Sequence, residues 1–541
     1  MSFNWLIISL DEVAWIGIAF LLGFLARAVG LPPLIGFLAA GFLLGAQGAE
    51  VTPILLKISE LGITLLLFTI GLKLNLRTLI RPQVWAVATI HMSAVTVVFG
   101  LLLFLLSAAG LAVLGGLSLP TAVLVGFALS FSSTVFVVKI LEDRGEMASL
   151  HGRTAIGVLI VQDIVAVLFM AVSMAKLPSP WAVLVVTVLL AVRPLLLKLL
   201  SRVGHGELLV LFGLVVALGG AKLFGLVGLK GDLGALVMGV MLAAHVKGDE
   251  LNKIMLGFKD LFLLGFFLSV GLSGVPGVSN LLVALLLTPL ILLKSALFFW
   301  LFTRLQLRAR TALLGSIDLG NYSEFGLIVA VLAASYGWIS NAWLINIALA
   351  ISLSFAAAAV LNRRAYALYE TYRESLMRFQ RPERLDYDGI IDVGNARILI
   401  VGMGGVGSGA FERMNEAFPG QVLGVDSDLD KVQAGQEHDR NIIRGDPSDG
   451  DFWERVKAAH SVELVMLALP KFSTSLAVIE QLRRTAYAGQ VAAVARYPDE
   501  VRALKSAGAD LVFNIYSEAG SGFASAVVSH VEKQDDNTSA L

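Results

Sequence analysis

The chain has 541 residues, of which 57% are hydrophobic and only 15% are charged. This composition excludes an ordinary soluble protein, which does not need so much apolar surface, and indicates many membrane spans. The 41 basic and 41 acidic residues balance, and we predict no nucleic-acid partner. Because the chain has no cysteine, disulfides and thiolate metal sites are excluded as well.

Two unlike parts make up the chain. Residues 1–361 are almost wholly apolar with isolated charges, whereas residues 362–541 have the composition of an ordinary globular domain. The first apolar segment lacks a small-residue cleavage site, so it is interpreted as a membrane span and not as a signal peptide. We predict a membrane domain at 1–361, a linker at 362–394, a globular domain at 395–528 and a disordered tail at 529–541.

Breaks in the apolar runs divide the first part into thirteen predicted spans, since a helix needs about 20 apolar residues to cross a bilayer. The number is twelve if the short segment 231–246 is re-entrant. Loops after odd-numbered spans hold most of the Lys and Arg residues, which places the N-terminus outside the cell and the C-terminal part in the cytoplasm. The predicted spans are 4–28, 32–47, 54–73, 84–109, 118–141, 152–175, 181–200, 207–226, 231–246, 254–274, 279–303, 309–335 and 341–361.

Short motifs recur along the membrane part. LFTIGL at 67–72 resembles FLSVGL at 267–272, and GFLAAG at 36–41 resembles GALVMG at 234–239. An offset of about seven spans, an odd number, inverts one copy relative to the other in the membrane. Inverted repeats are an architecture of secondary transporters, so the motifs favour that class.

Polar clusters interrupt two of the predicted spans, SFSST at 130–134 and GNYSEFG at 320–326. Polar residues with glycine inside a span predict unwound backbone, which is tolerated at membrane depth only inside protein or beside a water-filled cavity. Half-helix ends at such breaks expose carbonyl and amide groups to an ion. We therefore expect Ser132, Ser133 and Thr134 at an ion site, with Glu324 neutralising the N-termini of half-helices.

Gln162 and Asp163 stand side by side near the middle of the sixth span. A carboxylate at this depth costs about 2.5–3.5 kcal/mol on insertion scales, so we predict that Asp163 binds potassium or sodium and a proton in turn. A structural hydrogen bond between helices is the alternative. Gln162 is expected to add a carbonyl ligand. Lys294, in the eleventh span, either extends to the cytoplasmic surface or forms an ion pair with Asp163 that opens on cation binding.

The globular part shows the pattern of a small doubly wound sheet. A hydrophobic strand runs into GMGGVG at 402–407, and a second strand ends in Asp426, 19 residues after Gly407. In this fingerprint the glycines let phosphates approach a helix N-terminus and the acid binds ribose hydroxyls. No residue for hydride chemistry stands out, so we interpret the nucleotide as a regulator. The predicted nucleotide contacts are Gly402, Gly404, Gly405, Val406, Gly407, Asp426, Ser427 and Asp446.

Together these motifs resemble the monovalent cation:proton antiporter-2 family, and within it the Kef-type potassium efflux systems. The globular part resembles the RCK or TrkA-N-like nucleotide-binding regulatory domains of potassium transport proteins. The resemblance covers nearly the whole chain, and the Gln–Asp pair is similar to the Kef-type ion site. The motifs that carry it are LFTIGL at 67–72, SST at 132–134, VQDI at 161–164, FLSVGL at 267–272 and EF at 324–325.

The resemblance implies a secondary active transporter and not an enzyme: a homodimeric potassium/proton antiporter of the bacterial inner membrane, with potassium efflux coupled to proton entry. It implies an adenine nucleotide, AMP or NAD(H), as regulatory ligand, and allows for a small cytoplasmic regulatory subunit. Glutathione gating is not implied, because residues 248–253 hold fewer acids than the loop of glutathione-gated members and Gly405 replaces their frequent arginine.

Three alternatives remain beside a potassium/proton antiporter. One differs in the transported ion, and two differ in the class of protein. A sodium/proton antiporter would share the architecture and change only the substrate. A nucleotide-gated potassium channel needs a carbonyl-lined filter, and the sequence contains no segment of the Thr-Val-Gly-Tyr-Gly type. A membrane-anchored nicotinamide enzyme would leave the many spans and the buried acid without a function. The expected fold is thus a polytopic α-helical membrane protein with an inverted repeat, followed by a Rossmann-like α/β domain.

Overall fold

The computed structural model describes residues 10–73, 81–144, 146–147, 149–173, 181–228, 231–243, 245, 247–381, 393–445, 447, 452–453, 456–457, 460–484 and 487–539. The chain divides into two compact units. The first comprises Met1–Val138 and Thr154–Pro382, and the second comprises Lys139–Arg153 and Glu383–Leu541. The second unit therefore includes a short segment that lies, in sequence, within the membrane part.

Helices form nearly all of the described membrane part, and eight helical segments there are long and apolar enough to cross a membrane. Several helices begin at a proline, whose missing N–H would be unpaired at a helix start in any case. Three predicted spans are each built from two helices, so the described helices match the thirteen predicted spans. The helices are α1 Leu10–Ala28, α2 Pro33–Ala46, α3 Pro53–Lys73, α4 Pro82–Ala108, α5 Leu119–Ser130, α6 Thr134–Arg144, α7 Leu150–Val172, α8 Trp181–Arg202, α9 Glu207–Leu226, α10 Gly231–Leu242, α11 Gly248–Leu272, α12 Val278–Leu287, α13 Leu290–Arg304, α14 Ala309–Asp318, α15 Glu324–Ser335 and α16 Asn341–Arg363.

Both predicted helix breaks are confirmed. Helix α5 ends at Ser130 and α6 begins at Thr134, while α14 ends at Asp318 and α15 begins at Glu324. The residues between these helices are buried inside the first unit. The unwound backbone thus lies where protein groups can satisfy it, as membrane depth requires.

The repeated glycine motifs pack against each other. A Cβ on Gly41 of α2 would lie 2.7 Å from the Cα of Gly271 in α11, and a Cβ on Gly71 of α3 would lie 2.9 Å from the Cα of Gly239 in α10. Gly41 and Gly239 are equivalent in the repeat, as are Gly71 and Gly271. Each motif of one copy therefore packs on the other motif of the second copy, which is the exchange of partners that an inverted repeat predicts.

Part of the predicted linker forms helix α17 (Ala365–Met377), and residues 382–392 of the linker lie outside the described residues. Ala365 packs with Leu314 and Ile317 of α14 in a small buried cluster. The guanidinium of Arg310 lies 5.4 Å from the ring of Tyr366, a cation–π contact that holds the same two helices together.

The described residues of the C-terminal domain contain a six-stranded parallel sheet in the order β3-β2-β1-β4-β5-β6, with helices between the strands. This is the Rossmann order, and it confirms the predicted doubly wound domain. Beyond residue 529, where the sequence suggests disorder, the structure continues the last helix to Ser539. The elements are β1 Ile398–Val401, α18 Gly405–Ala417, β2 Val422–Asp426, α19 Leu429–Gln436, β3 Ile442–Arg444, β4 Leu464–Leu467, α20 Phe472–Arg484, β5 Gln490–Ala495, α21 Pro498–Ala507, β6 Leu511–Asn514 and α22 Ile515–Ser539.

Candidate functional site

The two helix breaks of the membrane unit are joined by hydrogen bonds. The backbone N–H of Ser133 donates to Oδ1 of Asn321 at 2.7 Å, and the hydroxyl of Ser132 donates to the carbonyl oxygen of Leu319 at 2.8 Å. The four residues are buried. Segments almost 190 residues apart in sequence therefore satisfy each other's polar groups at one point in the membrane part.

Lys294 of α13 is fully buried beside the two joined helix breaks. Its ammonium donates to the carbonyl oxygens of Phe131 at 2.5 Å, Asn321 at 2.7 Å and Leu129 at 3.3 Å. Leu129 and Phe131 lie at the C-terminal end of α5, where the helix dipole concentrates negative charge, and Asn321 lies in the break that follows α14. The prediction that Lys294 extends to the cytoplasmic surface is therefore wrong, because the carbonyls at the breaks provide its partners in the interior; an ion pair with Asp163 stays a prediction.

Glu324 places a carboxylate at helix N-termini, whereas Lys294 places an ammonium near a helix C-terminus. It is the first residue of α15, and its Oε2 accepts hydrogen bonds from the hydroxyls of Ser133 at 2.8 Å and Ser323 at 3.3 Å. Ser133 directly precedes the N-terminus of α6. A buried carboxylate at two helix N-termini matches their positive dipole ends, which supports the predicted clamp.

Asp163 and Gln162 of α7 face the start of α6. Oδ2 of Asp163 accepts a hydrogen bond from the hydroxyl of Thr134 at 3.3 Å, and the carboxylate side chain is almost completely buried. Oε1 of Gln162 accepts the backbone N–H of Ser132 at 2.9 Å. The amide oxygen that we expected to bind a cation thus holds the unwound backbone of the first break. The predicted site residues of the membrane unit are brought together in one buried polar cluster.

Sequence reasoning missed several supports of this cluster. Asn321 bridges the two breaks, since its Oδ1 accepts from Ser133 and its Nδ2 donates to the carbonyl oxygen of Asp318 at 2.8 Å. Ser354 of α16 accepts the N–H of Tyr322 at 3.1 Å. His91 of α4 lies with Nε2 3.3 Å from the carbonyl oxygen of Lys294. A signal for Asn321 was its place within the polar break, whereas Ser354 and His91 lie in ordinary apolar spans.

In the second unit, a cavity of about 630 Å³ lies along the glycine turn after β1. Gly402 has a φ of +94°, which favours glycine, and a Cβ on Gly407 would overlap the carbonyl oxygen of Gly402. A Cβ on Gly404 or Gly405 would meet nothing within 4 Å. The turn is thus shaped by Gly402 and Gly407, while the other two glycines leave open space at the N-terminus of α18 for an anionic group.

Asp426, at the end of β2, is tied to this turn. Its Oδ2 accepts the N–H of Met403 at 2.7 Å, and its Oδ1 accepts the N–H of Asp428 at 2.8 Å. The ammonium of Lys431 lies 3.5 Å from Oδ2. Asp426 therefore holds the glycine turn and the following turn in place as well as lining the cavity. Val406 and Ser427 also line it, and Asp446 lies outside the described residues.

The opposite edge of the sheet carries three residues with shifted pKa values. Arg397 and Glu463 form an exposed ion pair with Nη2 2.6 Å from Oε2, and the hydrogen bond from Arg397 lowers the pKa of Glu463. Burial raises the pKa of Tyr487 to about 12, and its hydroxyl donates to the carbonyl oxygen of Val462. Arg397, Glu463 and Tyr487 precede β1, β4 and β5, at the amino ends of these strands, and they do not line the cavity of the glycine turn.

Family models match both parts of the chain. The model described as sodium/hydrogen exchanger, transmembrane, matches residues 16–362, and the TrkA-N domain model matches residues 398–515. The first match covers the helix breaks and Asp163. The second covers the glycine turn and all six strands of the sheet, and it ends at the start of the last helix, α22.

The chain is also similar to known proteins. It is 28% identical over 531 residues to the glutathione-regulated potassium-efflux system protein KefC of Shigella flexneri, with 92% of this chain and 82% of that protein covered. The sodium proton antiporter MjNhaP1 of Methanocaldococcus jannaschii is 16% identical, with a TM-score of 0.47 over 68% of this chain and 97% of that one. The TrkA-N domain of the inner membrane protein YbaL from Escherichia coli is 22% identical, with a TM-score of 0.22 over 25% and 98%.

The extent of the exchanger match decides the assignment, since it spans well over half of the chain and includes the buried cluster around Asp163. The C-terminal match adds a TrkA-N domain after the last membrane helix. The protein belongs to the sodium/hydrogen exchanger family and carries a C-terminal TrkA-N domain.

Proposed function

We propose that this protein is a potassium/proton antiporter, in which potassium leaves the cell as protons enter. The observation that carries the proposal is the position of Asp163, an almost completely buried carboxylate beside two interrupted helices. A carboxylate at this depth is costly unless it is neutralised, and a cation or a proton each neutralises it. Since both cannot bind the same carboxylate at once, binding of one drives release of the other.

The surrounding charges support exchange over a purely structural role for Asp163. Lys294 donates hydrogen bonds to carbonyl oxygens at the helix breaks, and Glu324 lies at helix N-termini. The hydroxyl of Thr134 donates a hydrogen bond to the carboxylate of Asp163. Oxygen ligands of this kind suit an alkali cation. Alternating access would move this cluster relative to the glycine-packed repeat helices.

The choice of potassium is supported by the KefC relatives, which are named as potassium-efflux proteins. The likeness of 28% identity extends over both parts of the chain. A sodium/proton antiporter is the second candidate, because the exchanger family model carries sodium in its description. We favour the inner membrane of a bacterium, with the N-terminus outside, the TrkA-N domain in the cytoplasm and the transporter acting as a homodimer, with room for a small cytoplasmic regulatory subunit.

We further propose that an adenine nucleotide, AMP or NAD(H), regulates transport from the cavity beside the glycine turn. Gly404 and Gly405 leave room for phosphate at the N-terminus of α18, and Lys431 adds a positive charge at the same cavity. Asp426 would bind ribose hydroxyls, as acids in this position do in the fold. The role is regulatory because the cavity belongs to the second unit, whereas the cation cluster belongs to the first.

Purified protein in liposomes with a lumenal pH dye tests the substrate. We expect potassium added outside to move protons, sodium to move fewer, and choline to move none. A response to sodium alone would keep the mechanism and replace potassium as substrate. If cation current flows with a reversal potential that ignores the pH gradient, the protein is a channel and the antiport proposal is wrong.

A further inference from the structure

The segment between α6 and α7 belongs to the second compact unit, although both helices continue into the membrane unit. The hydroxyl of Thr474, in the first turn of α20, donates a hydrogen bond of 3.1 Å to the carbonyl oxygen of Arg144, the last residue of α6. Helix α20 follows β4. The segment is therefore attached beside the carboxyl end of β4, the edge of a parallel sheet at which ligands bind in this fold.

The described residues of this segment contact one another. The carboxylate of Glu146 is buried, with Oε2 3.2 Å from Nε2 of His151 and 3.9 Å from Nη1 of Arg144. The hydroxyl of Ser149 accepts the N–H of Gly152 at 3.0 Å and so caps the N-terminus of α7. A charge placed here is held in position between two helix ends.

Glu146 and Ser149 line the same cavity as the glycine turn and Asp426. In the sheet, β1 lies between β2 and β4. Asp426, at the end of β2, and Thr474, after β4, therefore lie on opposite sides of the glycine turn. A dinucleotide occupies both sides of this crevice, whereas a mononucleotide bound at Asp426 fills only one.

We propose that the α6–α7 segment forms the second half of the nucleotide site, in which the carboxylate of Glu146 accepts the ribose hydroxyls of the second nucleoside of a dinucleotide such as NAD(H). The inference rests on the proposed nucleotide site at the glycine turn and specifies its ligand and its route to the transporter. A ligand with one nucleoside, such as AMP, binds at the glycine turn and Asp426 without engaging Glu146.

Chain continuity connects this contact with the cation cluster. Helix α6 begins at Thr134 and ends at Arg144, and α7 begins at Leu150 and carries Asp163. The hydroxyl of Thr134 and the carboxylate of Asp163 form a hydrogen bond of 3.3 Å. A dinucleotide on Glu146 therefore acts on the two helices whose residues pair at the cation site, and this coupling is reciprocal between the two ligands.

Calorimetry tests the proposal by comparing the purified full-length wild type with Glu146→Gln. It measures the binding of NADH and of AMP to each protein. We expect the variant to bind NADH at least about tenfold more weakly, because it loses a charged hydrogen-bond acceptor. We expect it to bind AMP with the affinity of the wild type. Glu142→Gln is the matched control, because Glu142 is an exposed acid one turn earlier on α6 and does not line the cavity.

A second variant separates the contact from local folding. Thr474→Val keeps the size of the side chain and removes the hydrogen bond to Arg144, so we expect weaker NADH binding and a loss of the NADH effect on transport, with exchange itself retained. Unchanged NADH affinity in both variants, an equal loss in Glu142→Gln, or a wild type that binds no dinucleotide overturns the inference.

The same liposomes separate this inference from the proposed antiport. If the wild type exchanges cations for protons and NADH changes the rate equally in wild type and Glu146→Gln, the inference fails and the antiporter stands. If NADH binding depends on Glu146 while no cation-driven proton movement occurs, the antiport proposal fails and the nucleotide site stands.

Discussion

Ser133 and Glu324 are 191 residues apart in the sequence, yet their side chains share a buried hydrogen bond of 2.8 Å. The bond joins the helix that starts at the first break to the helix that starts at the second. Because it pairs a carboxylate with two helix N-termini, it stabilises both interrupted spans at once. The cation cluster depends on this contact, since Thr134, which faces Asp163, is the next residue along the chain.

Ser133→Ala should destabilise the protein, because it leaves a buried carboxylate with one hydrogen-bond donor fewer. The expected cost is about 1–3 kcal/mol, seen as a lower melting temperature in detergent. Ser335→Ala serves as control, since Ser335 lies exposed at the end of α15. Equal melting temperatures for Ser133→Ala and the control would contradict the role given to this bond.

Lys294→Met should be more severe than Ser133→Ala. The substitution removes an ammonium group that donates to three carbonyl oxygens at the helix breaks. Breaking a buried charged contact typically costs about 3–5 kcal/mol. Size-exclusion profiles and melting curves in detergent measure the loss. Lys222→Met, on the exposed side of α9, should behave as wild type. A fully stable Lys294→Met would mean that the helix ends need no cation.

Gly271→Ala should weaken the packing between the repeat copies. The added Cβ would lie 2.5 Å from the carbonyl oxygen of Leu38 and 2.6 Å from the Cα of Gly41, so α2 and α11 must move apart. Overpacking of this kind costs about 1–3 kcal/mol. Thermal melting should be unaffected by Gly225→Ala, whose Cβ meets nothing within 4 Å. If both alanine variants melt alike, the close glycine crossing is not required.

Three glycines of the nucleotide domain should respond differently to alanine. Gly407→Ala drives a Cβ into the carbonyl oxygen of Gly402 and should unfold the turn, whereas Gly404→Ala and Gly409→Ala meet nothing within 4 Å. We expect Gly404→Ala to fold and to bind nucleotide weakly, because its methyl group occupies the space left for phosphate. Gly409→Ala should bind normally. Calorimetry with NADH and AMP measures this order, and tight binding by Gly407→Ala would refute it.

Much of the architecture could be predicted because it follows local patterns. Span limits follow from apolar length, and both breaks follow from polar clusters containing glycine or several serines. The partners of Lys294 could not be predicted, because the carbonyls of Leu129 and Phe131 lie more than 160 residues away in sequence and are ordinary backbone groups. The bond from Ser132 to Gln162 could not be predicted either, because it depends on how α7 packs beside the first break.

The α6–α7 segment was equally invisible to sequence reasoning. Arg144, Glu146 and His151 look like the charges of any solvent-exposed loop, and only the packing of Thr474 on Arg144 brings them to the cavity of the glycine turn. Asp426, by contrast, could be predicted from its spacing. Its hydrogen bond with the N–H of Met403 could not be predicted, because the spacing of the motif indicates a ligand contact and gives no information on how Asp426 contacts the glycine turn.

Proton movement in liposomes, triggered by external potassium and compared between wild type and Asp163→Asn, tests the central claim most directly. We predict a rapid pH change in the wild type and in the control Glu207→Gln, an exposed acid at the start of α9, and none in folded Asp163→Asn. The neutral amide cannot exchange a proton for a cation. Potassium-driven proton movement that persists unchanged in Asp163→Asn would contradict the account.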